Sequence, residues 1–413
     1  MKKKNSFLKG ALCGALAMLL AVAFVGGSFF IYKMSRDDKV VTMGTEKKLE
    51  TLRGLIDEVY LHSDEISDDE LKEFLIKGYV SGLGDPYSVY YDKEETDSLF
   101  ESTEGKFSGI GVSITQDSET GAMTFVNVYE EGAGAEAGFQ AGDILYKIDG
   151  EDVTGQDLNN VVAKIKGEEG TQVEITVLRG ENMEEYTATA TRKVVEVHTV
   201  EHEMNSDGIG YIRITEFDSV TYDQFASALE DLEAQGMTGL VIDLRDNPGG
   251  NLDTVCDILD LILPEGTIVS TKDKNGEGET YTSDEEHKLE IPLSVLTNGN
   301  SASASEIFAG AVQDYGVGTL VGTTTFGKGI VQQIFPLTDG TSIKLTISEY
   351  FTPKGRNIHG TGIDPDVEVE YEYNEEDPAA DNQLEKAIEI VKGNGMRKKI
   401  ATSIIERTET KFN

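Results

Sequence analysis

Histidine is scarce in this chain. Its five residues, His62, His198, His202, His287 and His359, lie scattered along it. His198 and His202 stand four apart in a stretch that reads as extended, so they do not share a helical face as paired ligands would. No zinc-hydrolase motif and no Gly-x-Ser-x-Gly elbow occurs. No metal site and no cofactor is expected, and the histidines offer no catalytic mechanism. Cysteine is scarcer still: Cys13 sits in an N-terminal apolar run and Cys256 is alone in the remainder, so no intramolecular disulfide is expected. Positive charge is also short. The 36 lysines and arginines face 75 acidic residues, and the net charge of −39 argues against nucleic acid and anionic lipid as general partners. Such a balance suits solubility outside a cell or on its surface. Repeats and long low-complexity stretches are missing too. What is present suffices for two or three domains: 413 residues, 38% of them hydrophobic and 27% charged.

Lys2, Lys3, Lys4 and Lys9 precede an uncharged run from Ala11 to Tyr32. That run can cross a bilayer as a helix, which takes roughly 20 residues. The lysines hold the N-terminus in the cytoplasm and send everything after Tyr32 outside. A cleaved signal peptide has a shorter apolar core, and the Ala21-Val22-Ala23 triplet keeps that alternative open. The expectation is an uncleaved, single-pass anchor at 11–32, with the protein at the cell membrane and its bulk extracytoplasmic.

Two amphipathic helices follow over 45–82. Leu49, Leu52, Leu55, Ile56 and Val59 recur at helical spacing, as do Leu71, Phe74, Leu75, Tyr79 and Val80. Ser67 with Glu70 starts the second helix, and Gly82-Leu83-Gly84-Asp85-Pro86 ends it. The pair reads as a packed hairpin or as an arm for a homodimer. Residues 95–192 form a separate unit. A glycine-punctuated loop, Gly109-Ile110-Gly111-Val112, runs into a strand, and Ala141-Gly142-Asp143-Ile144-Leu145 and Ile148-Asp149-Gly150 follow at a fixed separation. This unit resembles a PDZ domain, in which such a loop binds a peptide's terminal carboxylate through backbone N–H groups.

From Gly208 onward strands and helices alternate. Ile209–Ile214, Gly239–Leu244, Leu293–Thr297, Thr319–Val321, Ile330–Phe335 and Ser342–Ile347 read as strands, with helices at Tyr222–Gln235, Leu252–Leu263 and about Ser305–Tyr315. Gly239–Leu244 has no polar face, which suits a sheet covered on both sides. Residues 273–288 are charged and glycine-bearing and read as a solvated surface loop.

The chemistry lies in this last region. Ser301-Ala302-Ser303-Ala304-Ser305-Glu306 is followed by Phe326-Gly327-Lys328-Gly329 and then Gln332. A serine hydroxyl needs an adjacent base to act as a nucleophile, and a lysine whose pKa is lowered by burial can serve. The Ser–Lys pair is a known variant of the serine triad. The anchor, the helices, the PDZ unit and the α/β region, with Asp243-Leu244-Arg245-Asp246-Asn247-Pro248-Gly249-Gly250, together resemble the carboxyl-terminal processing (tail-specific) proteases. The resemblance implies an α/β protease core, a crotonase-like α/β spiral, carrying an inserted PDZ domain behind an N-terminal helical hairpin and a transmembrane helix. It implies this division: 1–10 cytoplasmic, 11–32 anchor, 33–94 linker and helical region, 95–192 PDZ domain, 193–390 protease core and 391–413 tail.

The same resemblance puts the nucleophile on Ser303, the general base on Lys328 and the residue that orients it on Gln332. The oxyanion hole falls to the amides of Ala304 and of a glycine in the Pro248-Gly249-Gly250 turn, with Gly249 as the choice. Asp314 matches an acidic position of the family for which a structural role is at least as fitting. Ser301 and Ser305 are expected to cap or pack. The function implied is a membrane-anchored serine endopeptidase that cuts proteins from their C-terminal region. Its partners would be substrates with free C-termini, taken up by Gly109, Ile110, Gly111 and Val112. The alternative is a catalytically inert PDZ scaffold. A cell-wall acyl hydrolase is disfavoured, because the PDZ unit has no evident task there. The chain departs from the family pattern at Glu131-Gly132-Ala133-Gly134 and at Thr323-Thr324-Thr325, neither of which supplies a catalytic atom.

Overall fold

A computed structural model describes residues 40–409 except Glu119, Glu130, Glu181, Glu285 and His287, with backbone alone for 396–409. The expected anchor at 11–32 lies outside the described residues. Among the described residues no helix is long and apolar enough to cross a membrane. The chain divides into two units, residues 1–75 and 76–413.

In the first unit the helix Met43–Val59 is capped by Thr42, whose hydroxyl accepts from the Thr45 amide. The helix Asp68–Ser81 begins as expected behind Ser67, which accepts from the Glu70 amide at 3.3 Å. The expected apolar stripes form, but apart from buried Val80 and half-buried Ile56 they face solvent: Leu55 is 51% and Phe74 71% exposed.

The second unit holds the PDZ-like body and the α/β core. The body is a six-stranded antiparallel sheet of Val112–Gln116, Met123–Val128, Ile144–Ile148, Glu151–Asp152, Gln172–Arg179 and Glu184–Thr191. The helix Leu158–Ile165 closes it, through Val161 and Ile165 onto Phe125, Val173 and Ile175. The chain enters along Lys106–Gly109 and leaves along Lys193–Glu196, and these two strands pair antiparallel. Residues 93–104, placed partly in this body by sequence, form a separate helix with a capping box at Asp92 and Glu95.

The core sheet has parallel neighbours at Ile209–Ile214, Gly239–Asp243, Leu293–Thr297 and Gly318–Gly322. Alternation along the strands assigns the two faces. Leu240, Ile242, Val295 and Leu320 point to the helices Thr221–Ala234, Leu252–Asp260 and Ala304–Tyr315. Val241, Leu296 and Val321 point to the other side, where Ala387 and Val391 cover them. The covering helix, Asn382–Glu409, runs across the expected start of a tail at residue 391, because Val391 is buried. A second, antiparallel sheet joins Val89–Tyr91, Ser342–Phe351, Ile330–Pro336, Gly266–Asp273 and Thr280–Ser283. The expected loop 273–288 is thus partly strand: Thr280–Ser283 pairs with Gly266–Ser270, and buried Ser283 donates to the Pro264 carbonyl at 2.6 Å.

Candidate active site

Ser303 sits where the strand Leu293–Thr297 gives way to the helix Ala304–Tyr315, at the helix N-cap. Its backbone has φ +56° and ψ −113°, a conformation that L-residues rarely adopt and that costs about 1–3 kcal/mol. It is therefore a strained strand-to-helix turn without the glycine signature of the familiar elbow. The surroundings over-determine it. Ser301 Oγ donates to the Leu244 carbonyl at 2.7 Å, and Ser305 Oγ to the Asn247 carbonyl at 3.0 Å, so both flanking serines are buried anchors. The Ser303 carbonyl accepts from the buried Tyr350 hydroxyl at 3.1 Å. Desolvation, and then Glu306, hold that phenol well above its ordinary range.

Glu306 is the residue the sequence reading undervalued. It is fully buried, and its carboxylate accepts four hydrogen bonds. The Thr325 hydroxyl and the Gly327 amide donate to Oε1 at 2.6 and 2.7 Å; the Ser303 and Lys328 amides donate to Oε2 at 2.9 and 2.8 Å. One carboxylate therefore joins the Ser303 turn to the Lys328 loop. The Ser303-x-x-Glu306 spacing of a capping box was the available signal.

Lys328, Gln332 and Ser303 line one cleft, together with Gly249, Ala304 and Ile307. Half-burial of Lys328 and, after it, the like charge of Lys344 lower its amine pKa below the ordinary range; Glu306 opposes them. The ammonium lies 5.1 Å from the centre of the Tyr87 ring. Among the described residues the Gln332 side chain makes only long contacts, to the Ile330 carbonyl at 3.4 Å and Thr346 Oγ1 at 3.5 Å. Among the described residues no hydrogen bond joins Ser303 Oγ, Lys328 Nζ and Gln332.

The Asp243–Gly250 turn abuts the serine. Asn247, fully buried, donates from Nδ2 to the Ile214 carbonyl at 2.9 Å, and its Oδ1 accepts from the Gly249 amide at 2.8 Å. Gly249, at φ +105°, could carry no side chain: a Cβ there would lie 2.8 Å from Ser303 Cβ and 2.9 Å from the Ala304 nitrogen. The Ala304 and Gly249 backbones are therefore neighbours, with the Gly249 N–H turned to Asn247. Asp314 lies elsewhere. It pairs with Arg356 and accepts from the Lys354 amide at 2.8 Å, which pins the turn after Phe351. Gly109–Val112 lies on the PDZ-like body, with Ile110 buried and the Ile110 carbonyl accepting from the Gly134 amide at 2.6 Å.

A strained serine at a helix N-terminus, in a cleft shared with a half-buried lysine and beside a PDZ-like body, defines the class of the molecule as a peptidase. A family model described as peptidase family S41 matches residues 208–369, a PDZ-domain model matches 124–179, and a model described as the activating protease CtpB N-terminal domain matches 30–95. The carboxy-terminal processing protease CtpB of Bacillus subtilis is 36% identical over 326 residues, 78% of this chain and 67% of that one. The carboxy-terminal-processing protease of Bartonella bacilliformis is 36% identical over 363 residues, 84% of this chain and 82% of that one. A solved structure from Bacteroides fragilis, described as a "Putative S41 protease" and 18% identical, shares the fold with a TM-score of 0.50 over 77% of this chain and 90% of its own. The chain belongs to the carboxy-terminal processing proteases, PDZ-bearing serine peptidases of family S41.

Proposed function

We propose that Ser303 and Lys328 form the catalytic dyad of this peptidase. The observation that carries the reading is the strained N-cap of Ser303, tied through Glu306 to the loop of a lysine whose pKa is lowered by burial. The neutral lysine amine swings from Tyr87 to Ser303 Oγ and takes its proton while the serine oxygen bonds to the substrate carbonyl carbon. The carbonyl oxygen, now an anion, is met by the Ala304 amide at the positive end of the helix and by the Gly249 amide once it leaves Asn247 Oδ1. Collapse breaks the C–N bond, and Lys328 returns its proton to the departing amine. Water then attacks the acyl-enzyme as Lys328 takes its proton; the acyl C–Oγ bond breaks, the acid departs, and Lys328 returns the proton to Ser303 Oγ. Gln332 orients the lysine in the engaged state.

Gly109, Ile110, Gly111 and Val112 bind the substrate's terminal carboxylate, so that substrates are proteins with free C-termini. The parallel sheet with helices on one face and the C-terminal helix on the other supports reading the core as a crotonase-like spiral. The lysine-flanked run at 11–32 supports a single-pass anchor with the peptidase outside the cytoplasm. The exposed apolar stripes of the first unit support an arm that pairs two copies. The test is cleavage of one unfolded protein by the parent and by Ser303→Ala. Loss of cleavage with folding and tail-peptide binding retained is expected. Residual cleavage at the parental rate overturns the dyad and leaves the nucleophile elsewhere.

A further inference from the structure

One wall of the cleft carries a group that the dyad does not use. Thr215, Glu216, Phe217 and Asp218 follow the strand Ile209–Ile214: Phe217 is wholly buried in the core, while Glu216 and Asp218 line the cleft. This segment is bonded directly to the turn beside the serine. The Phe217 amide donates to the Gly249 carbonyl at 2.8 Å, and the Asn251 amide to the Phe217 carbonyl at 2.6 Å. Asp218 is 4% exposed, yet among the described residues its carboxylate takes part in no hydrogen bond or ion pair. Its oxygens open only onto the cleft, so a donor can reach them only from what enters it, water or a ligand.

The surroundings add negative potential. Glu216 stands beside it on the exposed rim. The helix Lys93–Glu104 ends against it: a Cβ on Gly105, its C-cap, would lie 3.3 Å from Asp218 Oδ2. A helix C-terminus carries partial negative charge and favours cations. The two lysines of the cleft do not relieve it, since Lys328 lies over Tyr87 and Lys344 over Tyr91, 5.2 Å from the ring centre. Burial, and then the Glu216 charge, push the Asp218 carboxyl up to about 7.

We infer that Asp218, with Glu216 at the rim, forms an anionic subsite that receives the ammonium or guanidinium of a substrate lysine or arginine close to the cleaved bond. An alkyl stem would lie along the cleft while its charged head supplies the donors that the carboxylate lacks. Specificity of this kind comes from a buried polar group that only the matching substrate satisfies.

The inference rests on the reading of Ser303 as the nucleophile of this cleft, and its test keeps the two apart. Peptides carry lysine or norleucine in turn at each position around the cleaved bond. The ratio of their kcat/KM values is taken within the parent, within Asp218→Asn and within Glu216→Gln. Their binding to Ser303→Ala, measured by calorimetry, gives a readout free of chemistry. One position is expected at which the parent favours lysine by about tenfold, as for a hydrogen bond to a charged group. The ratio falls close to unity in Asp218→Asn. It falls partway in Glu216→Gln, which alters the exposed rim and leaves the buried segment intact, and the Ser303→Ala protein binds the lysine peptide more tightly. A parent without lysine preference at any position, or a preference that survives both substitutions, overturns the subsite. Loss of cleavage in Ser303→Ala alongside that result shows that the nucleophile stands and only the subsite is wrong; undiminished cleavage in Ser303→Ala overturns both.

Discussion

Glu306→Gln is the substitution most sensitive to the way this site is built. The side chain keeps its shape but has one oxygen in place of two. Whichever way the amide turns, its NH2 group faces two donors, either the Ser303 and Lys328 amides or the Gly327 amide and the Thr325 hydroxyl. Two charge-assisted hydrogen bonds are lost in a fully buried site, at ~1.5–3 kcal/mol each, so the variant loses ~3–6 kcal/mol. At roughly 2–4 °C per kcal/mol for a unit of this size, thermal unfolding followed by circular dichroism should shift down by on the order of 10 °C. Activity should fall further than stability explains, because the lost bonds set the spacing of Ser303 and Lys328. A misplacement of about 1 Å can cost on the order of 100-fold in rate. The assay is kcat/KM on an unfolded substrate at a temperature where both proteins are folded. A variant that melts within about 2 °C of the parent and retains most of its kcat/KM would refute the view of Glu306 as the tie between the two segments.

Four further outcomes are expected. Lys328→Arg should be as inactive as Lys328→Ala, since arginine cannot shed its proton; parental activity in the arginine variant would reduce Lys328 to a fixed charge. The parental rate should rise with pH and level off below the ordinary lysine value of 10.5, and Lys344→Met, which removes a like charge, should move that rise to higher pH. A peptide ending in a free carboxylate should bind the PDZ loop more tightly than its C-terminal amide by calorimetry, and equal affinities would remove the carboxylate from the recognition. Asp218→Asn should become progressively more stable than the parent as pH rises. The folded carboxyl lies at about 7, above its ordinary 3.8, so the parent's protonated state stabilises it fully only below about pH 4, and that contribution is gone above pH 7. The variant should gain ~4 kcal/mol at pH 8 relative to pH 4 in urea unfolding, and a difference that does not vary with pH would contradict the burial argument.

Much of the fold could be read from pattern. Gly239–Asp243 and Leu293–Thr297 are buried at every position, so their unbroken apolar runs announced interior strands. The helix behind Ser67 and the turn at Asp243–Gly250 were legible for the same reason, because local chemistry dictates them. What stayed hidden depends on partners distant in sequence. Thr280–Ser283 is polar, and only pairing with Gly266–Ser270 makes it a strand. The helix past residue 390 packs through two small or branched residues, Ala387 and Val391, onto strands 66 to 182 residues earlier in the chain, and no local signal reports that. At the site, Ser303 and Lys328 were visible as residue types, while the strained backbone of Ser303 and the four bonds to Glu306 arise from packing. Asp218 was invisible altogether, since nothing in Glu216-Phe217-Asp218 says that its carboxylate faces the cleft without a protein donor.

The central claim is that Ser303 reacts because Lys328 takes its proton. A serine-directed fluorophosphonate, followed by peptide mapping in a mass spectrometer, tests it without a substrate. The account predicts labelling on Ser303 alone, at a rate that rises with pH in the parent and collapses in Lys328→Arg. A label on another residue, or labelling of Ser303 at the parental rate in Lys328→Arg, would contradict it.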